Sequence, residues 1–303
     1  MLKRLILKGF KSIRELDLPL LPFNIIIGAN GAGKSNLMAF FRMFQAMKQR
    51  QLQLHIARQG GVDSFLYYGR KETAVLSSAL YFDSNCYGFD LEPTVDNKFI
   101  FAKEFMQGET PKNLGSSHTE SLTSTLADCA VYHFHDTSDT ANVKRLQAIN
   151  DNVKLRQDAS NLAAFLYKLK KTSPKHYEII LKTIQQVAPF FGDFYLRPFP
   201  ENSHKIQLEW TEKGSDYPFI ANDLSDGTLR FICLATLLLQ PEMPTTILID
   251  EPELGLHPYA ISVLAGLFRV ASQRCQLIVS TQSLNLLDEF EAHDVIVVDR
   301  VNY

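Results

Sequence analysis

The sequence predicts an α/β fold in which short buried strands alternate with amphipathic helices. Phe23–Ile27 and Thr246–Asp250 are short apolar runs, rich in β-branched residues, of the kind that form central strands. A glycine-rich turn follows the first run and leads into helical spacing of apolar residues over Lys34–Gln51. Asp250 and Glu251 stand at the end of the second run, where open α/β sheets bind their ligands.

An antiparallel group of strands is predicted next to this core. Leu2–Lys8 alternates apolar and basic residues, as a half-buried strand does, and Ile13–Leu21 is its expected hairpin partner. The polar segment Gln107–Thr123 is predicted to be an exposed loop. Further strands are predicted over Ala74–Phe82, Tyr87–Leu91, Lys98–Phe105, Ala130–Phe134, Ile206–Trp210, Gln276–Ser280 and Val295–Asp299, and further helices over Thr228–Leu239, Tyr259–Ser272 and Leu284–Phe290.

A basic helical insertion is predicted between Asn142 and Phe191. Apolar residues recur there with the i, i+3, i+4, i+7 spacing of amphipathic helices. The basic residues of this segment could follow a phosphate backbone or form an ordinary solvated helix face, and both interpretations stay open. These residues are Lys144, Arg145, Lys154, Arg156, Lys168, Lys170, Lys171 and Lys175.

Composition excludes several classes of protein. With 46% hydrophobic and 21% charged residues, the 303-residue chain is neither disordered nor fibrous. No apolar stretch approaches the roughly 20 residues of a membrane helix, and the basic amino terminus lacks the apolar core of a signal peptide. The four cysteines are scattered without a C-x-x-C pair, which argues against a zinc site or a disulfide framework. We therefore expect a cytoplasmic protein with no membrane partner.

Charge is unevenly distributed along the chain, although the formal net charge is only -2. Residues 1–50 hold nine Lys/Arg against two Asp/Glu, whereas residues 216–300 hold four against twelve. One interpretation is polyanion binding on one face. The other, which we favour, is a phosphate site that needs cations beside a magnesium site that needs carboxylates.

The segment GANGAGKS at residues 28–35 fits the pattern G-x-x-x-x-G-K-[ST] at every fixed position. It lies between a predicted strand and a predicted helix, so backbone N–H groups and the positive end of the helix would face a phosphate group. Lys34 would contact the β- and γ-phosphates of ATP, and the hydroxyl of Ser35 would bind Mg²⁺. The residues expected to bind the nucleotide here are Gly28, Asn30, Gly31, Ala32, Gly33, Lys34, Ser35 and Asn36.

The acidic pair after the second strand is the natural complement of this loop. Asp250 would bind Mg²⁺ together with Ser35, and Glu251 would polarise a water for in-line attack on the γ-phosphate. An Asp-Glu pair after a buried strand is a weak signal alone. Together with the phosphate loop it predicts ATP hydrolysis, with Glu251 and Lys34 as catalytic residues.

Four segments occur in the order in which ABC-type ATPases carry them: the phosphate loop, Leu224–Thr228, Ile249–Pro258 and Ser280–Ser283. The opening GFKS at residues 9–12 is similar to the start of RecF and SMC heads. The chain therefore resembles the RecF/SMC-like soluble ATPases, or AAA_21-type predicted ATPases, over nearly its whole length.

The resemblance implies an α/β P-loop NTPase with an ABC-type ATPase head, an antiparallel β lobe and a helical insertion. We expect residues 1–140 to form an amino-terminal ATPase lobe with the phosphate loop and the antiparallel strands. Residues 141–200 would be the basic insertion. Residues 201–303 would form the carboxyl-terminal lobe with the signature segment, the Walker B strand and the switch loop.

The resemblance also implies contacts between two copies of the chain. In this family the Leu-Ser-x-Gly segment reaches the nucleotide of a second protomer, so Ser225 and Gly227 would contact the γ-phosphate in trans. The alternative is a turn with a helix cap, which the same residue types favour. If the trans contact holds, ATP joins two protomers into a closed homodimer with two sites, and hydrolysis opens it.

Two departures from the family pattern bear on catalysis. Gln282 stands at the switch position where many ABC ATPases have His, so the resemblance implies that Gln282 is a third catalytic residue. Glutamine can bind a phosphate or water but cannot carry a proton. We therefore expect slow hydrolysis. The family also implies a separate glutamine that senses Mg²⁺, which the sequence does not locate. Lys11 is expected to approach the nucleotide by resemblance, or else to be a solvated hairpin lysine.

His133, His135 and Asp136 form a further cluster of chemically active residues. Alternate histidines on a strand share one face and could bind a metal ion, but a full ligand set is not evident. Structural, hydrogen-bonded histidines are the simpler interpretation, and a contact with the γ-phosphate or a partner is a third.

These features predict an Mg-ATP-dependent ATPase that dimerises around ATP. The expected role is DNA repair, chromosome maintenance or defence against foreign DNA, with sequence-tolerant DNA binding. A second hypothesis is a nucleotide-gated scaffold that docks a separate effector protein without binding DNA. A third is an ATP-dependent regulator of a small-molecule system.

Overall fold

A five-stranded parallel sheet lies at the centre of the molecule, in the strand order β16-β3-β15-β14-β7. The computed structural model describes residues 1–29, 31–108 and 129–299. The sheet confirms the predicted α/β class, because its buried runs pair side by side in parallel as expected. Its strands are β3 (Phe23–Ile27), β7 (Cys129–Tyr132), β14 (Thr246–Asp250), β15 (Gln276–Thr281) and β16 (Val295–Val297).

The two faces of this sheet belong to two different hydrophobic cores. On β14, Ile247 and Ile249 face one core, whereas Leu248 between them faces the other. On β15, Leu277 and Ile278 are divided in the same way. Successive side chains of a strand point to opposite faces, so a continuous apolar run is what a sheet covered on both sides requires.

The first core lies between the central sheet and an antiparallel sheet of order β2-β1-β4-β5-β6. Helix α1 fills the space between the two sheets, and its ring of Phe40 packs edge-on against that of Phe10. The antiparallel strands are β1 (Leu2–Phe10), β2 (Ile13–Pro19), β4 (Leu76–Phe82), β5 (Asn85–Pro93) and β6 (Phe99–Gly108), and the helices are α1 (Lys34–Lys48) and α2 (Leu52–Arg58).

The second core is covered by helices and two small sheets. The ring of Trp210 stacks between those of Phe191 and Phe219, which joins the three strands of one small sheet. Phe191 and Trp210 belong to the same core as the helices. The helices are α3 (Leu162–Thr172), α4 (Pro174–Val187), α5 (Asp226–Leu239), α6 (Pro258–Ser272) and α7 (Leu284–Leu287). The small sheets contain β8 (Gln147–Ala148), β10 (Pro198–Phe199) and β11 (Asn202–Ile206), and β9 (Phe191–Phe194), β12 (Glu209–Glu212) and β13 (Pro218–Ile220).

Two predicted elements are wrong in detail. The strand expected over Ile206–Trp210 is divided, because Ile206 ends β11 in one small sheet and Trp210 lies in β12 of the other. The insertion, apart from a short 3₁₀ turn at Asn142–Lys144, is helical only from Leu162. Before it, the buried amide of Asn161 bonds the backbone at Asp151, Lys154 and Arg156 and so replaces helical hydrogen bonding.

The exposed loop predicted over residues 107–123 lies outside the described residues beyond Gly108. Among the helices that the structure describes, none combines the length and the apolar character needed to cross a membrane.

Candidate nucleotide site

The phosphate loop begins where β3 ends. The N–H of Val298 donates to the carbonyl of Ile27 at 2.7 Å, which draws the last strand against the loop. A Cβ on Gly28 would lie 2.1 Å from the carbonyl oxygen of Val298, so only glycine fits there. Gly33, just before α1, has φ = 121°, a conformation that side-chain-bearing residues rarely adopt.

Lys34 points into this loop and is 5% exposed. Its Nζ donates to the carbonyl of Gly28, and to that of Ala29 at 3.1 Å. The ammonium group is therefore held where the phosphates of a nucleotide would replace the carbonyls as its partners. The hydroxyl of Ser35 is exposed at the beginning of α1.

The remaining loop residues agree with a nucleotide cradle. Ala32 donates its N–H to the carbonyl of Ala29 at 3.1 Å, and Gly31 has φ = 81°. The amide of Asn36 donates to the hydroxyl of Ser12 at 2.6 Å, so the β1–β2 turn is attached to α1. Asn30 lies outside the described residues.

Asp250 ends β14 at the same edge of the sheet. One carboxylate oxygen accepts a hydrogen bond from Ser280, and the other lies 3.6 Å from Nη2 of Arg42. The ring Nε2 of His135 donates to the backbone carbonyl of Asp250 at 2.8 Å. A carboxylate and a serine hydroxyl are hard oxygen donors of the kind that Mg²⁺ prefers, so the chemistry of Asp250 and Ser35 fits the predicted metal site.

The side chains of Glu251 and Gln282 are in direct contact at the ends of β14 and β15. The amide of Gln282 donates to the Glu251 carboxylate, and the N–H of Glu251 donates to the carbonyl of Ser280 at 2.9 Å. Glu253 fixes the switch loop from the other side, because its Oε1 accepts from Thr281 Oγ1 at 2.6 Å and from the N–H of Gln282 at 3.2 Å. The other oxygen of Glu253 is buried without a hydrogen-bond partner among the described residues.

The signature segment packs against the loop that follows Glu251. Ser225 caps α5, and its hydroxyl accepts the N–H of Thr228 at 3.2 Å. A Cβ on Gly227 would lie 2.3 Å from the carbonyl oxygen of Gly255. Within the described residues, no hydrogen bond of Ser225 reaches the phosphate loop of the same chain. Helix capping is thus observed, and it is compatible with a trans contact.

Lys11 lies at the β1–β2 turn with φ = 48°, and its Nζ is 4.9 Å from the ring centre of Phe65. Burial, and secondarily the charge of Arg42, lower the pKa of Lys11. Burial followed by the charges of Arg42 and His135 likewise lowers the pKa of His133. Arg42 thus contributes to both pKa shifts after burial, while the charges of Asp158 and Asp250 oppose the lowering of the pKa of His133.

A metal site at the histidines finds no support in residues 1–29, 31–108 and 129–299. No group of three or more His, Cys, Asp or Glu is positioned there to hold an ion. Asp136 accepts hydrogen bonds from Ser138 instead, which is the simpler structural role.

Several residues of the site are not predicted from the sequence. Ser280 and Arg42 reach Asp250 only because strands and helix pack together. Arg230 of α5 donates to the carbonyls of Phe134, His135 and Leu254, and so joins the signature helix to two loops. The available signal for Arg42 is its seven-residue spacing from Ser35, which places both on one face of α1.

The fold and the site together define an ABC-type ATPase of the RecF/SMC-like class. Residues 23–288 match the AAA_21 family, described as "AAA domain, putative AbiEii toxin, Type IV TA system", and the chain belongs to this family.

Two curated relatives have names that refer to nucleic acids. The OLD nuclease of Thermus scotoductus is 23% identical over 335 aligned positions, which cover 99% of this chain and 62% of that protein. The DNA replication and repair protein RecF of Klebsiella pneumoniae is 36% identical over 81 residues, which cover 24% of this chain and 23% of RecF. The chain thus spans under two thirds of the first relative and aligns with about a quarter of the second.

Solved structures of SMC heads share the fold. An SMC head bound to the C-winged helix domain of ScpA has a TM-score of 0.67 at 18% identity, covering 99% of this chain and 94% of that one. An SMC head with an extended coiled coil, bound to the C-terminal domain of ScpA derived from Pyrococcus furiosus, has a TM-score of 0.62 at 16% identity, covering 98% and 93%. These similarities confirm the predicted fold class.

Proposed function

We propose that the chain binds Mg-ATP, dimerises around it, hydrolyses it slowly and acts in a process linked to DNA. One observation carries this proposal. The phosphate loop, Asp250 and Glu251 meet at one edge of the parallel sheet, because β3 and β14 are the two neighbours of β15.

Each residue has a distinct task in this proposal. Lys34 and the loop N–H groups bind the phosphates, while Ser35 and Asp250 hold Mg²⁺, which when bound offsets the negative charge of the phosphates. Glu251 takes a proton from the attacking water. The hydrogen bond from Gln282 occupies one oxygen of the Glu251 carboxylate in the free chain, so the amide competes there with the attacking water. That competition supports slow turnover.

The second half of each site comes from a second copy. Ser225 and the amino end of α5 form a helix terminus suited to an anion, and the positive end of its dipole would face the γ-phosphate of the partner. The closed dimer therefore exists only while the γ-phosphate is present, which makes hydrolysis the opening step.

A link to DNA is supported by the relatives rather than by the site. OLD nuclease and RecF carry names that refer to nucleic acids, and this chain resembles the first of them along 99% of its length. Repair, chromosome maintenance and defence against foreign DNA are the processes that fit. The second candidate is a scaffold for an effector protein, which the ScpA domains bound to SMC heads favour.

Turnover measured with and without duplex DNA separates these candidates. We expect the wild-type chain to release phosphate from Mg-ATP slowly, and faster with DNA, and we expect Glu251→Gln to release none. Turnover that ignores DNA, together with a co-purifying protein, would favour the scaffold. No turnover in the wild-type chain would remove the enzymatic proposal.

A further inference from the structure

Arg42 places a guanidinium group against the carboxylate that the candidate site offers to Mg²⁺. Its Nη2 lies 3.6 Å from one oxygen of Asp250, while the hydroxyl of Ser280 donates to the other oxygen. The side chain of Asp250 is 13% exposed and that of Arg42 is 35% exposed, so water screens this ion pair only in part. Both oxygens of the metal-binding carboxylate are therefore engaged in the free chain.

The fold sets this contact, because α1 packs against β14 and carries Arg42 towards the end of that strand. Arg42 follows Ser35 by seven residues, so the two lie on one face of α1, about two turns from each other. One helix thus carries both the hydroxyl that fits Mg²⁺ and a cation that holds the other expected metal ligand. Among the described residues, Arg42 is the cation that pairs with Asp250.

A cation in this position opposes the binding of a divalent ion at Asp250. The carboxylate cannot give the same oxygen to a metal ion and to the guanidinium at full strength, and like charges repel strongly where water is partly excluded. The charge of Arg42 is also not cancelled by Asp250 alone. It lowers the pKa of Lys11, after burial, and the pKa of His55, after burial and the charge of Lys11.

A cleft of about 220 Å³, which Arg42 itself lines, can receive the guanidinium when it leaves Asp250. The amides of Gln45, Gln49 and Gln157 line the same cleft, and their oxygens can accept hydrogen bonds from a guanidinium group. Arg42 can therefore release the carboxylate without becoming a buried cation that lacks a partner.

We propose that Arg42 competes with the divalent cation for Asp250 and thereby sets the metal affinity of the site. This inference rests on the proposed Mg-ATP site and adds to it a residue that determines metal binding. A bound triphosphate supplies negative charge that offsets the repulsion between Arg42 and a divalent ion. Arg42 therefore releases Asp250 more readily when nucleotide is bound.

The test is a titration of the nucleotide-free chain with Mn²⁺, whose free ion gives an electron paramagnetic resonance signal that is lost on binding. Arg42→Gln removes the guanidinium group, and we expect it to bind Mn²⁺ about tenfold more tightly than the wild-type chain, the scale of a partly screened charge interaction. Arg42→Lys keeps the positive charge and is expected to bind more weakly than Arg42→Gln. With a non-hydrolysable ATP analogue present, we expect the difference between the wild-type chain and Arg42→Gln to become smaller.

Arg58→Gln is the matched control for the loss of one positive charge. Arg58 lines the same cleft, whereas the ion pair with Asp250 in the described part of the chain is made by Arg42. At physiological ionic strength we expect the Mn²⁺ affinity of Arg58→Gln to stay within about twofold of the wild-type value, because salt screens charges that are not in contact. In an Asp250→Asn background, Arg42→Gln is expected to give no further gain.

The inference is wrong if Arg42→Gln binds Mn²⁺ no more tightly than the wild-type chain. An equal gain in Arg58→Gln would show a diffuse positive potential instead of a specific exchange at Asp250. A gain that persists in the Asp250→Asn background would place the metal ion elsewhere, and no Mn²⁺ binding by any variant would overturn the metal site itself.

Binding of a fluorescent ATP analogue to the same samples separates this inference from the proposed function. A wild-type chain that binds the analogue, with no gain in Mn²⁺ affinity for Arg42→Gln, would remove only the role of Arg42. A wild-type chain that binds no nucleotide would remove the proposed function, and the inference that rests on it would fall as well.

Discussion

Glu251, the proposed base, has an unfavourable backbone conformation. Its φ of 42° is in the left-handed region, which costs a side-chain-bearing residue about 1 kcal/mol or more. The hydrogen bond from its N–H to the carbonyl of Ser280 holds this conformation. Strain that persists at a reactive carboxylate is consistent with a functional role for the carboxylate.

Replacing Glu251 by glycine and by alanine separates strain from chemistry. Both variants lack the carboxylate and are expected to lose turnover, but only glycine accepts the left-handed backbone without strain. We expect Glu251→Gly to be more stable than Glu251→Ala by about 1 kcal/mol in urea denaturation. Equal stability of the two variants would show that the backbone here is not strained.

Lys34 is expected to dominate nucleotide affinity. Lys34→Ala removes a buried ammonium group facing the phosphates, and we expect binding of a fluorescent ATP analogue to weaken about 100-fold, or ~2.7 kcal/mol. Lys98→Ala is the control, because Lys98 is exposed on the β5–β6 turn and pairs with the exposed Asp96 two residues before it. Comparable losses in both variants would contradict the phosphate-loop assignment.

Local motifs made part of the site predictable from sequence. The loop glycines, Lys34, Asp250 and Glu251 lie in two short continuous motifs, and each motif indicates its chemistry without knowledge of the fold. Ser280, Arg42 and Glu253 contribute through contacts between elements, and Glu253 in particular holds a loop about 28 residues further along the chain. Such partners become visible only when the strand order is known.

At the scale of elements, the strands and helices of the central sheet followed their hydrophobic patterns closely. β14 spans the predicted residues, and α5 and α6 begin within two residues of expectation. The segment before α3 did not form the predicted helix, because the buried side chain of Asn161 holds its backbone in a loop through hydrogen bonds. The apolar spacing that predicted the helical insertion begins only at Leu162, so it carried no information about the loop before it.

Two glycine-to-alanine variants test how tightly the signature helix α5 packs against the loop after Glu251. Gly227→Ala would place a Cβ 2.3 Å from the Gly255 carbonyl, so we expect a loss of about 1–3 kcal/mol. Gly266→Ala on α6 meets nothing within 4 Å and should gain about 0.5–1 kcal/mol from helix propensity. Urea denaturation of both variants gives the comparison, and a neutral Gly227→Ala would mean that the two segments separate easily.

In the whole molecule, the central sheet separates two hydrophobic cores, and the candidate nucleotide site lies at the edge of this sheet. The signature segment packs on the core that the helices and small sheets cover. Ser225 and the phosphate loop of the same chain are not hydrogen-bonded in the described residues. The proposed dimer supplies the missing contact, because two-fold symmetry gives each loop the signature segment of the other copy.

Ser225→Arg is expected to keep nucleotide binding and lose ATP-dependent dimerisation, because a long cation replaces a hydroxyl at the partner's phosphate. Ser215→Arg is the matched control, since Ser215 lies exposed on a turn between β12 and β13. Analytical ultracentrifugation with Mg-ATP compares the two. Dimerisation of Ser225→Arg at wild-type strength would leave Ser225 as a helix cap only.

The proposed ATP-dependent dimer is tested most directly by size-exclusion chromatography with light scattering on Glu251→Gln, with and without Mg-ATP, because this variant is expected to bind ATP without hydrolysing it. We expect the mass of a monomer without nucleotide and of a dimer with it. An unchanged mass, with nucleotide binding confirmed on the same sample, would contradict the proposed dimer.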